Sequence, residues 1–194
     1  MGRLLPPLVV MGVSGCGKST IGALLAESLG MPFLDGDDVH PAANKAKMAA
    51  GIPLDDADRA PWLDRIGGLL AGTLETGQVT GNPPAGPPVV ACSALKRSYR
   101  DQLRRLAPGV VFVHLTGSPD TIAARLAARA HEFMPGRLLE SQLATLEALE
   151  HDEAHILADI SLAPERLVAC VVGQLRSAQP WRPSEGREPA ISAG

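Results

Sequence analysis

The chain has 194 residues, a formal net charge of −3 and only 3% aromatic residues, which fits one domain with a core of aliphatic side chains. It lacks the basic block and aromatic faces of a nucleic-acid-binding protein and the long apolar run of a membrane span, so a cytoplasmic location is expected. The three separated cysteines have neither metal-ligand nor disulfide-framework spacing.

Apolar runs alternate with helical patterns along the chain, which is typical of an α/β fold with a parallel sheet. Strands are predicted at residues 8–13, 32–35, 89–93, 110–115 and 155–160. Helices are predicted at residues 18–29, 38–50, 58–76, 97–106, 119–129, 138–149 and 164–175. We expect one domain over residues 1–177, followed by a disordered tail rich in Pro, Ser and Gly over residues 178–194.

A phosphate-binding loop follows the first predicted strand. Residues 12–19, with the sequence GVSGCGKS, match the pattern G-x-x-x-x-G-K-[ST] and open a predicted helix. Glycines let backbone N–H groups close around phosphate oxygens, and the helix N-terminus favours an anion. Lys18 is expected to bridge the β- and γ-phosphates, and the Ser19 hydroxyl to ligate Mg²⁺. The candidate nucleotide ligands in this loop are Gly12, Ser14, Gly15, Cys16, Gly17, Lys18, Ser19 and Thr20.

This loop alone does not distinguish kinases from GTPases or motor ATPases. A GTPase would normally carry N-K-x-D after a strand, whereas the Asn44-Lys45 pair lacks the aspartate. A motor ATPase would show an apolar strand that ends in aspartate, whereas the third predicted strand ends in Cys92-Ser93. The sequence therefore argues against a GTPase and a motor ATPase, and leaves kinases and regulatory ATP-binding proteins open.

Two carboxylates, Asp35 and Asp37, stand at the end of the second predicted strand. Ligands of α/β sheets bind at the carboxyl ends of the strands. Asp35 is the candidate for the Mg²⁺ water shell, and Asp37 for orienting an attacking hydroxyl and accepting its proton. The alternative is an acidic helix N-terminus, in which Asp37 or Asp38 caps the following helix.

Strings beyond the loop resemble the gluconate kinase family. They are Asp35-Gly36-Asp37 with His40-Pro41, Asn44 through Lys47-Met48, Asp58-Arg59 with Pro61-Trp62-Leu63, and Cys92-Ser93-Ala94-Leu95-Lys96 with Tyr99-Arg100. The similarity spans roughly residues 8–175. It implies a three-layer P-loop kinase fold with a five-stranded parallel sheet, a mobile lid at about residues 130–145, and a homodimer.

The resemblance also implies an activity, in which ATP with Mg²⁺ phosphorylates the 6-hydroxyl of D-gluconate. The substrate-side candidates are Asp37, His40, Lys47, Arg59, Lys96 and Arg100. Arg59 is suited to a bidentate pair with the acid group. A solvated charge on a helix face is the alternative for each lysine and arginine, and Trp62 fits core packing better than a sugar platform.

Two arginines, Arg125 and Arg129, share one face of the helix that leads to the lid. By resemblance, one lies against adenine and the other reaches the phosphates, which makes both nucleotide-binding candidates. Lys18, Asp37 and Arg129 form the predicted catalytic set.

The chain departs from the family at several places, which include Ala148-Leu149 where relatives usually have Glu-Pro, the lid and the phosphate loop. The lid reads His131-Glu132-Phe133 where relatives commonly have Gly-His-Phe, so no catalytic role is predicted for His131. Cys16 stands where relatives often have Ser, and a thiol at a helix N-terminus is expected to be unusually acidic.

Two other functions stay open from the sequence. A shikimate kinase would show Gly-Gly-Gly after the third strand, where Ser93-Ala94-Leu95-Lys96 stands. A regulatory ATP-binding protein without transfer activity would show damage to the acidic pair or the lid. The pair is intact, and the lid is only shifted.

Overall fold

The computed structural model describes residues 5–72, 87–127 and 136–177. Within these ranges, strands and helices alternate as the sequence predicts. In chain order they are β1 (Leu8–Met11), α1 (Lys18–Leu29), β2 (Phe33–Asp35), a 3-10 helix (Gly36–Val39), α2 (Ala42–Ala49), α3 (Asp56–Leu70), β3 (Val89–Ala91), α4 (Arg97–Leu106), β4 (Val111–Thr116), α5 (Pro119–Ala127), α6 (Gly136–Thr145), β5 (His155–Asp159) and α7 (Pro164–Ser177).

The five strands form one parallel sheet in the order β2-β3-β1-β4-β5. β1 lies at the centre, between β3 on one side and β4 on the other. The chain that leaves β1 therefore emerges at the point where the strand order changes direction, which is where sheets of this type bind ligands. The predicted phosphate loop occupies that position.

The core has two halves, one on each face of the sheet. Side chains along β1 alternate between them, with Leu8 and Val10 on one face and Val9 and Met11 on the other. Helices α1 and α7 cover the first face, and α3 and α4 cover the second. Both faces are therefore buried, and the fold is the predicted three-layer α/β arrangement with a five-stranded parallel sheet.

One predicted helix, over residues 38–50, is divided into two. The Asp35 side chain accepts a hydrogen bond from the Asp37 N–H and starts a 3-10 helix. His40 then has φ −59° and ψ 139°, because the residue before a proline is disfavoured in helical conformation. Pro41 is the N-cap of α2. As a result, Asp37 lies within the 3-10 helix and His40 is the C-cap of that helix.

Helix α3 begins before its predicted start, at Asp56. Asp55 and Asp58 form a capping box, in which each side chain accepts a hydrogen bond from the other residue's backbone N–H. The predicted end of this helix at residue 76, the Gly/Pro segment up to residue 86 and the predicted tail lie outside the described residues. Among the residues that are described, no helix is long and apolar enough to span a membrane.

Candidate active site

The phosphate loop connects β1 to α1, and a backbone hydrogen bond fixes its first residue to the segment that follows β3. The Gly12 N–H donates to the Ser93 carbonyl, which follows β3. Gly15 has φ +82°, and a Cβ atom there would lie 2.4 Å from Leu126 Cγ. An L side chain is therefore excluded twice, by backbone strain and by overlap. Glycine at this position lets the loop close tightly.

The N-terminus of α1 is open toward the loop. Its N-cap, Gly17, provides no side-chain hydrogen bond, and its first turn contains no acidic residue. The first N–H groups of the helix are thus available to an anion. The Lys18 ammonium lies across the same loop and donates to the Val13 carbonyl at 3.1 Å. This is the arrangement of donors that a polyphosphate requires.

Asp35 joins the phosphate loop to the acidic turn. The Ser19 hydroxyl donates to Asp35 Oδ2 at 2.6 Å, and the Asp37 N–H donates to Asp35 Oδ1 at 3.1 Å. The sequence predicts both Ser19 and Asp35 as magnesium ligands, and the fold brings them into contact across 16 residues. A hydroxyl and a carboxylate, completed by phosphate oxygens and water, suit Mg²⁺.

Gly36 is required between the two aspartates because of a close approach. A Cβ atom at this position would lie 2.5 Å from the Ala91 carbonyl oxygen of β3. The Gly36 carbonyl in turn accepts a 2.7 Å hydrogen bond from the indole N–H of Trp62. Trp62 is 3% exposed, which confirms that it packs in the core.

A cavity of about 260 Å³ opens beside the phosphate loop. It is lined by Gly15, Cys16, Gly17, Thr20, Ile21, Arg125, Ile160, Leu162, Pro164 and Leu167. Arg125 is fixed at its edge by a 2.6 Å hydrogen bond to the Ile160 carbonyl. The mostly apolar lining next to a phosphate cradle is suited to the base of a nucleotide. Five of the predicted nucleotide ligands are thereby brought together at one cavity: Gly15, Cys16, Gly17, Thr20 and Arg125.

The prediction of an unusually acidic Cys16 is wrong. Burial is the dominant influence and raises the pKa of this thiol, although Lys18 and Arg125 act in the opposite direction. The side chain is fully buried, so the cysteine packs beneath the loop and its thiolate is disfavoured. The sequence pattern locates the helix N-terminus correctly but does not reveal on which side of it the sulfur lies.

The two lysines predicted to bind the substrate, on what is called the acceptor side of the site, are each paired with an aspartate of α3. Lys47 Nζ lies 2.6 and 2.7 Å from the Asp58 carboxylate oxygens, and Lys96 Nζ lies 2.8 and 2.9 Å from those of Asp56. These hydrogen bonds raise the pKa of both lysines and lower the pKa of both aspartates. All four groups are therefore charged at neutral pH. The two aspartates were not predicted as site residues.

Tyr99 is where two of the predicted cations converge. The Arg59 guanidinium lies 5.9 Å and the Lys96 ammonium 5.3 Å from the centre of its ring. The Tyr99 hydroxyl donates to Asp56 at 2.5 Å, and Arg59 donates to the Leu54 carbonyl. Residues from α3 and from the start of α4 thus form one cluster of charged side chains, in which Arg59 and Lys96 lie against the same ring.

Arg100 has a different position from the one predicted. Its guanidinium is completely buried and pairs with Glu153, with Arg100 Nε 2.6 Å from Glu153 Oε1. Its other donors reach the backbone carbonyls of Ala94, Leu95, Glu147 and Ala148. All five N–H groups are occupied by internal acceptors. The structure gives Arg100 a supporting role in place of the predicted contact with a substrate.

The loop that Arg100 supports contains an unusual backbone conformation. Ala94 has φ +44°, the one non-glycine residue with positive φ among the described residues. Such a conformation costs roughly 1–3 kcal/mol and persists when its surroundings impose it. Lys96 and Ser93 lie in this loop, so the strain is located where the acceptor side meets the phosphate loop.

Gln142 of α6 makes a contact that the sequence does not reveal. Its side-chain oxygen accepts a 2.6 Å hydrogen bond from the Ser14 N–H of the phosphate loop. Arg129 and the His131-Glu132-Phe133 segment of the predicted lid lie outside the described residues. A motif spans neighbouring positions only, and this contact joins residues 128 apart.

The fold and the site define a class. A glycine-rich loop on the central strand, Ser19 beside Asp35, and a base-sized cavity are the features of a P-loop nucleotide-binding domain that transfers phosphoryl groups. A family model described as an AAA domain matches residues 8–149.

Individual relatives specify the family within that class. A gluconokinase of Gluconobacter oxydans is 49% identical over 146 residues, which cover 75% of this chain and 78% of the relative. A gluconokinase of Arabidopsis thaliana is 42% identical and covers 85% and 89% of the two chains. The crystal structure of a gluconokinase from Sinorhizobium meliloti superposes with a TM-score of 0.76 at 44% identity, over 90% of this chain and 94% of that one. The chain belongs to the gluconokinase family.

Proposed function

We propose that this protein transfers the γ-phosphoryl group of ATP to the 6-hydroxyl of D-gluconate and forms 6-phospho-D-gluconate. The observation that carries the proposal is the convergence of Arg59 and Lys96 on the Tyr99 ring, at the same edge of the sheet as Asp37 and the phosphate loop. A sugar acid needs a cation for its carboxylate and polar groups for its hydroxyls. Membership of the gluconokinase family supports the same acceptor.

On the nucleotide side, the loop N–H groups and Lys18 bind the phosphates, and Arg125 borders the base. We assign Arg129 to the phosphates as well, on the resemblance alone. Ser19 and Asp35 would hold Mg²⁺, which neutralises phosphate charge when it is bound. The chain's own contribution is to hold the γ-phosphoryl group with N–H groups and a lysine that are already in place. These groups do not have to reorganise during transfer.

On the acceptor side, Asp37 orients the 6-hydroxyl and accepts its proton as the new O–P bond forms and the bond from the γ-phosphorus to the bridging oxygen breaks, which releases ADP. Arg59 binds the gluconate carboxylate, because its guanidinium has no carboxylate partner among the described ion pairs. Lys47 and Lys96 bind the chain of hydroxyls while their aspartates hold them in place. His40 lines the same turn at one edge. A homodimer and a cytoplasmic location complete the proposal and rest on the family resemblance and composition.

A panel of acceptors tests the proposal directly. Purified protein with ATP and Mg²⁺ is offered gluconate, shikimate, other sugar acids and nucleoside monophosphates, and ADP formation is followed. We expect strong stimulation by gluconate alone. Preference for another acceptor would overturn the assignment of the acceptor-side residues, and ATP hydrolysis without any acceptor dependence would instead indicate a regulatory ATP-binding protein.

A further inference from the structure

His40 lies between the core and the acidic turn. Its ring stacks on Trp62 with a 4.2 Å distance between ring centres and a 12° angle between ring planes. Its side chain is only 4% exposed, whereas that of Asp37 is 86% exposed. The Nε2 atom of His40 lies 3.9 Å from Asp37 Oδ1. The imidazole thus has one face against an indole and one edge toward the proposed catalytic carboxylate.

Asn44 determines which nitrogen of His40 carries the proton. The Asn44 amide nitrogen lies 2.7 Å from the Asp58 carbonyl oxygen, which can only accept, so this side-chain atom is the NH₂ group. The same nitrogen lies 3.3 Å from His40 Nδ1. Nδ1 must therefore accept, and the proton of the neutral ring is on Nε2. That proton faces Asp37.

The charge state of His40 agrees with this tautomer. Burial is the largest influence and lowers the pKa of the imidazole, and the positive charges of Arg59 and Lys45 lower it further. The ring is consequently a neutral N–H donor at physiological pH. It can hold the Asp37 carboxylate by a hydrogen bond without forming a full ion pair with it.

Trp62 makes the turn between Gly36 and His40 rigid, because it binds both of its ends. The indole N–H donates to the Gly36 carbonyl at 2.7 Å, while the indole ring packs on His40. Asp37 lies between these two fixed points. At 3.9 Å, His40 Nε2 and Asp37 Oδ1 are beyond hydrogen-bond distance, and the exposed Asp37 side chain is the partner that can move closer.

We propose that His40 is a positioning residue, whose Nε2–H, set by Asn44 and held in place by Trp62, orients the Asp37 carboxylate toward the acceptor hydroxyl. This inference rests on the proposed role of Asp37. It replaces the predicted direct contact between His40 and gluconate. The proton of the acceptor goes to Asp37, and His40 neither gains nor loses a proton in the step.

Two substitutions separate donation from packing. His40→Phe keeps an aromatic ring against Trp62 but removes the N–H, whereas His40→Gln keeps an N–H donor near the position of Nε2. We expect His40→Phe to lower kcat by about 10- to 100-fold, with the KM values for gluconate and ATP within about twofold, since misorientation affects the transition state more than binding. His40→Gln is expected to recover most of kcat. A raised gluconate KM in His40→Phe with unchanged kcat would indicate a direct substrate contact and overturn the proposal.

A double-mutant cycle with Asp37→Asn tests whether His40 acts through Asp37. In the Asp37→Asn background, His40→Phe should reduce the remaining kcat by less than about twofold, because the group it positions is gone. Fully additive losses would contradict a positioning role. Near-normal turnover of the Asp37→Asn single variant would instead remove the catalytic role of Asp37 itself. Thermal unfolding of each variant shows whether it is folded, and His40→Gln provides the comparison if His40→Phe unfolds.

Discussion

The two sides of the site use different chemical groups, mainly backbone groups on the nucleotide side and side chains on the acceptor side. The nucleotide side consists of backbone N–H groups at the start of α1, one lysine and a mostly apolar cavity. The acceptor side consists of side chains from α2, α3 and the start of α4, and its two lysines are held by other side chains, in the Lys47–Asp58 and Lys96–Asp56 pairs. One half depends on the path of a short loop, and the other on how separate helices pack.

Because of this difference, the two halves of the site differ in which of their residues can be exchanged. Backbone donors and a helix N-terminus recognise phosphate whatever the surrounding side chains are. Paired side chains can be exchanged without altering the sheet, so acceptor specificity can vary on a constant nucleotide site. Substitutions on the two sides should therefore have separable effects on nucleotide binding, transfer and stability.

Lys18→Ala should have the largest effect on turnover. The ammonium lies over the phosphate loop and is expected to stabilise charge that develops on the transferring group. We expect kcat to fall by about 10³-fold, as for loss of a transition-state charge contact. Steady-state assays with gluconate measure it. Arg65→Ala, which removes an exposed cation of α3, serves as control, and an equal loss in that variant would show that the effect is not specific to the loop.

Arg100→Met should have the largest effect on stability. It leaves Glu153 buried without its main partner, which costs about 3–5 kcal/mol of unfolding free energy. Arg105→Met, on the exposed side of the same helix, should change stability by less than about 0.5 kcal/mol. Urea denaturation compares the two. An Arg100→Met protein of parental stability with a raised gluconate KM would restore the original prediction of a substrate contact.

Acid should weaken the fold through His114 of β4. Burial, with the nearby charges of Arg100 and His155, lowers the pKa of His114 to about 4 from an unfolded value of 6.5. The unfolded chain therefore binds the proton first as pH falls. The contribution of neutral His114 to the unfolding free energy is fully present above pH 6.5. It is lost progressively toward pH 4, by up to about 3 kcal/mol.

Removal of the titrating group tests this dependence. His114→Leu should flatten the decrease in unfolding free energy between pH 6.5 and pH 4, whereas His151→Ala, at an exposed turn, should leave it unchanged. Chemical denaturation at several pH values measures both. An equally steep decrease in His114→Leu would assign the acid sensitivity to other groups.

Gly15→Ala should have a smaller effect, confined to the nucleotide side. The positive φ and the overlap with Leu126 force the loop to move, at a cost of about 1–2 kcal/mol for the backbone alone. We expect ATP affinity to fall by about tenfold or more. Gly173→Ala in α7, where a Cβ atom meets nothing within 4 Å, should be slightly stabilising. Calorimetric titration with a non-hydrolysable ATP analogue distinguishes the two variants.

The nucleotide side could be predicted closely from the sequence. A contiguous motif between an apolar strand and an amphipathic helix specifies the loop, and the bounds of α1 agree with the prediction. Contact between Ser19 and Asp35 follows from two strands that end at one edge of a parallel sheet. Local pattern was sufficient because this side is built mainly from the backbone of one short segment.

The acceptor side could be predicted only in part. Its cations could be named, but whether each faces the cleft depends on packing between α3 and α4. Lys96 meets Asp56 across 40 residues, and Arg100 turns inward to Glu153 across 53. Neither distance is accessible to periodicity or spacing. On the nucleotide side the Cys16 prediction also failed, because burial outweighed the effect of the helix N-terminus on the pKa of the thiol.

The most direct test of the separation between the two sides is one variant, Asp37→Asn, measured for both binding and transfer. The account predicts an affinity for the ATP analogue within about twofold of the parent, together with a loss of kcat for gluconate of about 10²-fold or more. Near-normal turnover would contradict the role of Asp37, and a parallel loss of nucleotide affinity would contradict the independence of the two halves.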